Sequence, residues 1–393
     1  ELDDWNDVVD AGMTAATPHS STHVVNDIVF TAAPEEKMHV PALSDNALEG
    51  DRPDVLVIGG GISGCSVARE LARYKLNVLL IEKEADLALG ASGRNDGEVH
   101  PGVDLSKGSL KHKYIRRANH MYEDLCRELD VPFKRTGQYA CFTHKSWLPF
   151  VSLYAKWRRD HDGIEDTCIV MGDEIRKKEP SISADVAFAL SNPSSGSVSP
   201  YNLVIAYAEN AVQNGARVSL NTAVTGMDVS DGMIKAVHTN RGTIYPREVI
   251  NCAGVYSDVV AQMAQDRFFS IHPRRGTNSI LDKKTGAAFK TIASAVGPET
   301  PGHAHTKGGG ILHTVHDNLL VGPDAVETPE RENTATNADS IAVEEPTNAG
   351  TYTVKLCVSG SSNFAAAELA LDDLTIVPMG QELSFAETRV ELT

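Results

Sequence analysis

The sequence predicts an α/β protein built on a doubly wound parallel sheet, and three observations carry that prediction. DVLVI at 54–58 is an unbroken apolar run, the pattern of a parallel strand buried on both faces. GGGISG at 59–64 follows at once and opens a stretch with Ala68, Leu71 and Ala72 at helical spacing, through Tyr74. NVLLIEK at 77–83 is a second buried run, which completes a strand–turn–helix–strand unit of about 30 residues, the length a βαβ crossover needs.

The turn in that unit carries the spacing Gly59-x-Gly61-x-x-Gly64, a Rossmann-like dinucleotide fingerprint. The first glycine permits the tight turn, the second lets backbone approach a pyrophosphate, and the third lets helix pack on strand. The helix N-terminus then offers N–H groups and positive dipole to the phosphates. Glu82 ends the second strand, 18 residues past Gly64, where an acid accepts hydrogen bonds from ribose hydroxyls. An acid there disfavours a 2′-phosphate, so NADP is not expected. A glycine-rich turn arising by chance is the plain alternative, and the agreement of strand, helix and acid argues against it. The fingerprint alone does not separate FAD from NAD.

The remaining elements follow in order. Residues 1–52 are polar and acidic and read as a poorly ordered extension, with VVNDIVF at 24–30 as a strand or docking arm. Leu110, Tyr114, Ala118, Met121, Leu125 and Leu129 mark an amphipathic helix over 109–129. A helical stretch near Trp147–Arg159 lies among short strand-like runs in 131–200. Asn202–Asn214 is a helix stopped by Gly215. A meander follows over 218–220, 224–229, 234–239 and 243–245, with turns at Asp231-Gly232 and Arg241-Gly242, before the buried strand of EVINCAG at 248–254. Residues 265–325 return to short strands. ETPERENTATNADS from Glu327 is linker-like, and TYTVKLCVSG and ELALDDLTIVP then alternate as strands of a half-exposed sheet.

The totals narrow the function. The net charge is −17 over 393 residues, which argues against nucleic acid as a partner, because phosphate backbones call for clustered Lys and Arg. A few local cations still suffice for a small anion. Six cysteines form no C-x-x-C pair, so no zinc or iron–sulfur spacing is present, and Cys65 and Cys252 read as core residues of a protein from a reducing cytoplasm. No apolar run approaches the roughly 18 residues that span a bilayer. The chain starts at Glu1 with no signal-peptide pattern, which leaves a fragment or a processed chain open.

Beyond the fingerprint, several blocks appear in order: GASGRNDGEVHPG at 90–102, GSLKHKYIRRAN at 108–119, DVPFKRTGQYACFT at 130–143, PSSGSVSPYNLVIAYAENAVQNGA at 193–216, NTAVTGM at 221–227, VINCAGVYSD at 249–258, IHPRRG at 271–276 and HDNLLVGPDA at 316–325. Over residues 53–335 the chain resembles the FAD-dependent glycerol-3-phosphate dehydrogenase and L-2-hydroxyglutarate oxidase group, within the D-amino-acid-oxidase-like superfamily. The resemblance implies an FAD-binding domain from 53–130 and 201–264, and an inserted α+β substrate domain from 131–200 and 265–326. A linker at 327–345 and a short β-rich tail at 346–393 complete the division. It implies that Gly59, Gly61 and Gly64 hold the pyrophosphate and Glu82 the adenosine ribose. Ser92, Arg94 and Asn95 then line the loop beside pyrophosphate and flavin, Val224 meets the adenine through its strand, and Ala253 and Gly254 close over the adenosine side.

For the chemistry, the resemblance places His100 of His-x-Gly beside the flavin ring as the base for a substrate hydroxyl, a role suited to histidine near neutral pH. A loop residue that packs or tunes the flavin is the alternative. Arg275 of PRRG matches an arginine on the substrate side, where its planar fork suits carboxylate or phosphate. A surface ion pair is the alternative. Arg274 points the other way if the segment is a strand. Lys307 sits beside a Gly segment at 308–310 that could close on a ligand. His303, His305, His313 and His316 are dense without a recognisable ligand set, so no metal is expected.

The chain departs from the family in three places. No final Gly-rich strand–helix to clasp the flavin's pyrimidine end is found, no cysteine-bearing iron–sulfur domain follows, and Thr277 stands where Glu usually follows PRRG. ELALDDLTIVP instead resembles the last strands of a carbohydrate-binding β-sandwich. The expectation is thus an FAD-dependent oxidoreductase that converts a small anionic secondary alcohol, first sn-glycerol 3-phosphate, to the ketone. An L-2-hydroxy-acid dehydrogenase or an inactive dinucleotide-binding relative is the alternative. Electrons would pass to a quinone, a partner subunit or oxygen, in the cytoplasm or at the membrane periphery.

Overall fold

The computed structural model describes residues 1–17, 23–33, 37–164, 166–296, 310–336, 350–358 and 367–376, the last two as backbone only. β1 (Val55–Ile58) lies between β2 (Val78–Ile81) and β13 (Glu248–Asn251), with β9 (Arg217–Ser219) beyond β2, and all pairs are parallel. Every residue of β1 and β2 is buried, which explains their unbroken apolar runs. Alternate residues feed two cores. Val55, Val57, Val78 and Leu80 face α2 (Ile62–Leu71) and α6 (Pro200–Gln213) through Ala68, Val204, Ala208 and Ala211. Leu56, Ile58, Leu79 and Ile81 face the meander β10 (Val224–Ser230), β11 (Met233–Thr239) and β12 (Gly242–Ile244), together with α7 (Ser257–Met263). The β10–β11 turn at Asp231-Gly232 has φ of 55° and 70°, the two positive values of the hairpin turn that this dipeptide favours. β13 has no strand partner on its outer side among the described residues.

A second sheet has seven strands. Its order is β15 (Ser279–Ile280), β18 (Leu319–Gly322), β17 (Gly310–His313), β16 (Ile292–Ala295), β5 (Gln138–Phe142), β7 (Phe188–Asn192) and β6 (Cys168–Met171). Only β16 and β5 run parallel. α4 (Leu148–Asp162) packs Val151 and Ala155 on Phe188 and Leu190, and α5 (Gly172–Lys178) packs Ile175 with Tyr139 and Ala189. A small antiparallel sheet links the two halves of the molecule. In it β8 (Gly196–Val198) pairs with both β3 (Glu98–Val99) and β4 (Phe133–Lys134). α3 (Leu110–Glu128) starts at Ser109, whose hydroxyl accepts from the His112 N–H. β14 (Arg274–Arg275) pairs with β19 (Val326–Glu327), and β20 (Gly350–Val358) with β21 (Ala367–Ile376), all antiparallel.

Two segments depart from the expectation. Residues 1–52 include α1 (Trp5–Ala16), capped by Asp4, whose carboxylate accepts from the Asn6 N–H at 2.8 Å. Val8 and Val9 are buried, Trp5 meets Phe30 edge-on at 5.5 Å, and Gly12 backs onto His272, where a Cβ would stand 2.6 Å from the ring. The Asn26 side chain donates to the Val8 carbonyl, and its N–H to the Ser270 hydroxyl, each at 2.8 Å. Residues 5–16 and 23–30 of the extension are therefore folded against 267–272. The described part of the linker, 327–336, is also docked. Arg331 donates to both Asp258 oxygens at 2.8 and 3.0 Å, and Lys83 meets Glu332 at 2.7 Å. Residues 337–345 lie outside the described residues.

The Asp258–Arg331 tie sets a pH dependence. Burial alone would raise the Asp258 pKa, but the Arg331 fork and the Ile271 N–H outweigh it and hold the carboxyl below its ordinary range. A depressed folded-state pKa gives stability that is complete above the unfolded value, about 3.9, and is lost as pH falls through the folded one. Asp258→Asn is expected to lower stability at pH 7 by about 2 kcal/mol, the worth of a hydrogen-bonded buried charge. Calorimetric scans should show the Tm gap between parent and variant narrowing as pH falls below about 4. Parallel Tm curves from pH 7 to 3 would refute the assignment.

Candidate functional site: a dinucleotide cradle

The cradle is formed where β1 turns into α2. Gly59 has φ of 111°, and a Cβ there would lie 2.3 Å from the Cys252 carbonyl oxygen. A Cβ at Gly64 would lie 1.9 Å from the Gly59 carbonyl oxygen. Both positions exclude a side chain because backbone passes against backbone. Gly61 caps α2 in extended conformation, with no side chain of its own to satisfy the first turn. The Ser92 hydroxyl accepts from the Ile62 N–H at 3.0 Å, over the face where Gly61 lacks a Cβ. Below the turn, burial pushes the Cys65 thiol up to about 12, so it packs as an inert neutral group.

Glu82 stands at the end of β2 beside this turn. Its two oxygens accept from the N–H groups of Gly60, at 2.6 Å, and Glu84, at 2.9 Å, which fixes the carboxylate and leaves lone pairs for ribose hydroxyls. Ala253 packs with Ile58 and Val224 in one core, which brings the β13 and β10 ends to the same edge of the sheet, and Gly254 follows with φ of 57°. Asn95 braces its own loop: its side chain donates to the Ala91 and Ser92 carbonyls and accepts from the Gly97 N–H. Arg94 is exposed. Gly59, Gly61, Gly64, Glu82, Ser92, Val224, Ala253 and Gly254 thus converge, whereas Asn95 works one step back. A helix N-terminus, a fixed carboxylate at the end of β2 and glycines pressed on backbone fit the adenosine and pyrophosphate half of FAD.

His100 follows β3 and is part of a network that the sequence does not display. Its Nδ1 lies 3.1 Å from Glu98 Oε1, an oxygen that also accepts from Gln138 Nε2 at 3.0 Å. The Glu98 side chain is only 10% exposed, so the carboxylate acts at close range with little screening. Residues two apart along an extended chain share a face, and that spacing was the one available signal for Glu98. The His100 carbonyl accepts from Asn119 of α3 at 3.0 Å, and Arg135 in turn donates to Asn119.

Arg275 and Arg274 have opposite fates on β14. Arg274 is paired with Glu327 at 2.5 Å. The Nε of both arginines is buried without a hydrogen-bond partner, but Arg275 alone of the two has no ion pair among the described residues. An unpaired guanidinium atom under cover favours an anion. Lys307, His303 and His305 lie outside the described residues. His313 Nε2 stands 3.7 Å from Asp317, and His316 Nε2 stands 3.4 Å from the Tyr201 and Ser199 hydroxyls. No metal-ligand group of three is found among the described residues.

Comparisons with known proteins place the chain in a family. The family model "FAD dependent oxidoreductase" (DAO) matches residues 54–347, which ends before β20. A glycerol 3-phosphate dehydrogenase from Caloramator mitchellensis is 37% identical over 288 residues, covering 73% of this chain and 58% of that protein. The chain therefore spans little more than half the length of that relative. An L-2-hydroxyglutarate dehydrogenase from Indibacter alkaliphilus is 31% identical, covering 71% and 69%. Among solved structures, the FAD-bound L-alpha-glycerophosphate oxidase of Mycoplasma pneumoniae superposes with a TM-score of 0.64 at 26% identity, covering 72% of this chain and 73% of that one. The chain belongs to the DAO family of FAD-dependent oxidoreductases, and FAD is its cofactor.

Proposed function

We propose that the chain oxidises a small anionic secondary alcohol, with sn-glycerol 3-phosphate to dihydroxyacetone phosphate as the leading reaction. The observation that carries this reading is Arg275, whose partly covered guanidinium has no carboxylate partner among the described residues. The names of the similar glycerol 3-phosphate enzymes support the same choice. Bound FAD supplies the two-electron acceptor for the carbinol hydride. The chain's residues do the rest. Glu98 accepts from Nδ1–H of His100, which leaves Nε2 with the lone pair that takes the hydroxyl proton. Arg275 holds the substrate's anion, while Gly61, Ser92 and Glu82 fix the cofactor. The reduced enzyme would pass electrons to a quinone, a partner subunit or oxygen. No helix among the described residues is long and apolar enough to cross a membrane.

A second reading, oxidation of an L-2-hydroxy acid, draws on the same Arg275, because a planar fork matches a carboxylate as well as a phosphate. The test is the visible spectrum of the purified chain, followed by anaerobic addition of glycerol 3-phosphate and, separately, L-2-hydroxyglutarate. Bleaching by the phosphate supports the first reading, and bleaching by the dicarboxylate alone selects the second. A flavin spectrum unmoved by either refutes both.

A further inference from the structure

A cavity of about 710 Å³ opens beside β4, and neither His100 nor Arg275 lines it. Its walls come from three separated segments. β4 and the following loop supply Lys134 and Arg135, the 283–291 segment supplies Lys283 and Lys290, and the β17–β18 turn supplies His313 and Asp317. The chain as a whole has 53 acidic and 36 basic residues, yet four cations here face one carboxylate. Lys134 and Asp317 pair at 2.6 Å and cancel. Arg135 donates to the carbonyls of Asn119 and Ser194, which carry no charge, and Lys283 and Lys290 have no ion pair among the described residues. Three cations therefore remain without an ion pair among the described residues around one cavity, against the single buried carboxylate of Glu179 behind its wall, and the excess of positive charge is the focusing arrangement that gathers anions in an acidic protein.

The walls are built. A Cβ on Gly286 would stand 2.0 Å from the Asp317 carbonyl oxygen, so the short helix Lys283–Ala287 presses directly on the β17–β18 turn. The Lys290 segment is anchored from behind by buried Glu179, which accepts from the Lys290 N–H at 3.0 Å and from the Thr291 hydroxyl. The Thr136 hydroxyl, also in the lining, is buried with no hydrogen-bond partner. An orphaned hydroxyl beside unpaired cations is a cost that a bound oxyanion removes. Burial, and then Lys134, push the His313 pKa down, so its ring is neutral at neutral pH and adds a donor without adding charge.

We propose that this cavity is an anion site for a small phosphate-bearing molecule, distinct from the site at Arg275. Compact lysine ammonium groups on several sides suit a tetrahedral oxyanion better than a single planar carboxylate. The volume falls within the range of small-molecule sites. The test is calorimetric titration of the full chain with inorganic phosphate and with phenyl phosphate, in an Arg275→Ala background so that the other site is silent. Saturable binding is expected, weakened about ten-fold or more by adding Lys283→Ala and Lys290→Ala, and weakened by potassium chloride as screened charges require. Both lysines are exposed, and an unchanged Tm would verify that the variants fold. A tighter Kd for phenyl phosphate would assign the site to phosphate monoesters, and a tighter Kd for phosphate to the free ion. Absence of saturable heat, or an affinity that survives loss of both lysines, overturns the proposal.

Discussion

Gly61→Ala is expected to strip the chain of FAD while leaving its fold nearly untouched. The three fingerprint glycines look equivalent in sequence but not in space. A Cβ at Gly64 would strike the Gly59 backbone at 1.9 Å, and one at Gly59 would strike the Cys252 carbonyl at 2.3 Å. A Cβ at Gly61 meets only the Ser92 hydroxyl, at 2.9 Å, and that side chain can turn away. The backbone at Gly61, with φ of −84°, suits alanine too. Losing glycine at an N-cap costs about 1 kcal/mol at most. The methyl would, however, occupy the face through which backbone approaches the pyrophosphate. Fluorescence titration should therefore show FAD affinity reduced about a hundred-fold, near 3 kcal/mol, with the apoprotein Tm shifted little. Gly64→Ala should instead lose ~3 kcal/mol of stability through overpacking, and lose FAD with the fold. Gly226→Ala is the control, since its Cβ would make one ordinary contact, 3.8 Å from His238. If Gly61→Ala binds FAD like the parent, the cradle is wrongly placed.

The same contrast explains what the sequence could show. β1 and β2 were legible because both faces are buried, so their runs are apolar without interruption. The fingerprint was legible because glycine spacing encodes local backbone geometry. α1 was hidden because its stable face is only Val8, Val9 and Gly12 amid acidic neighbours, and its partners Phe30 and His272 are remote in sequence. Glu98 was hidden for a related reason. Its role depends on Gln138, forty positions away on a different sheet, and its own strand is two residues long. Arg274 and Arg275 could be separated only as alternating strand positions. The Glu327 carboxylate that occupies Arg274 comes from β19, a pairing that no local pattern announces. Local rules reach the glycine turn and Glu82, the part of the cradle made within one βαβ unit. They do not reach a site assembled from distant strands.

A graded series at His100 tests that assembled site. In the proposed chemistry His100→Asn removes the base and should slow substrate-dependent flavin reduction by about 10² to 10⁴-fold, the usual worth of a positioned general base. Glu98→Gln is the finer probe. The oxygen that meets His100 Nδ1 also accepts from Gln138, and a glutamine carbonyl can keep both bonds while losing the charge. A hydrogen bond to a charged partner exceeds a neutral one by about 1 to 2 kcal/mol, so a fall of about ten-fold is expected. Glu98→Leu removes the acceptor as well and leaves the imidazole tautomer unfixed, so its loss should lie between those of the other two variants. Anaerobic stopped-flow bleaching measures each rate, and the oxidised flavin spectrum shows whether the cofactor is retained. The order of rates carries the argument more than any single value. Equal losses in all three variants with FAD retained would mean that Glu98 acts by packing, and wild-type reduction in His100→Asn would move the base elsewhere. A graded order, with the glutamine variant closest to the parent, is the signature of a carboxylate that works on the histidine through its charge.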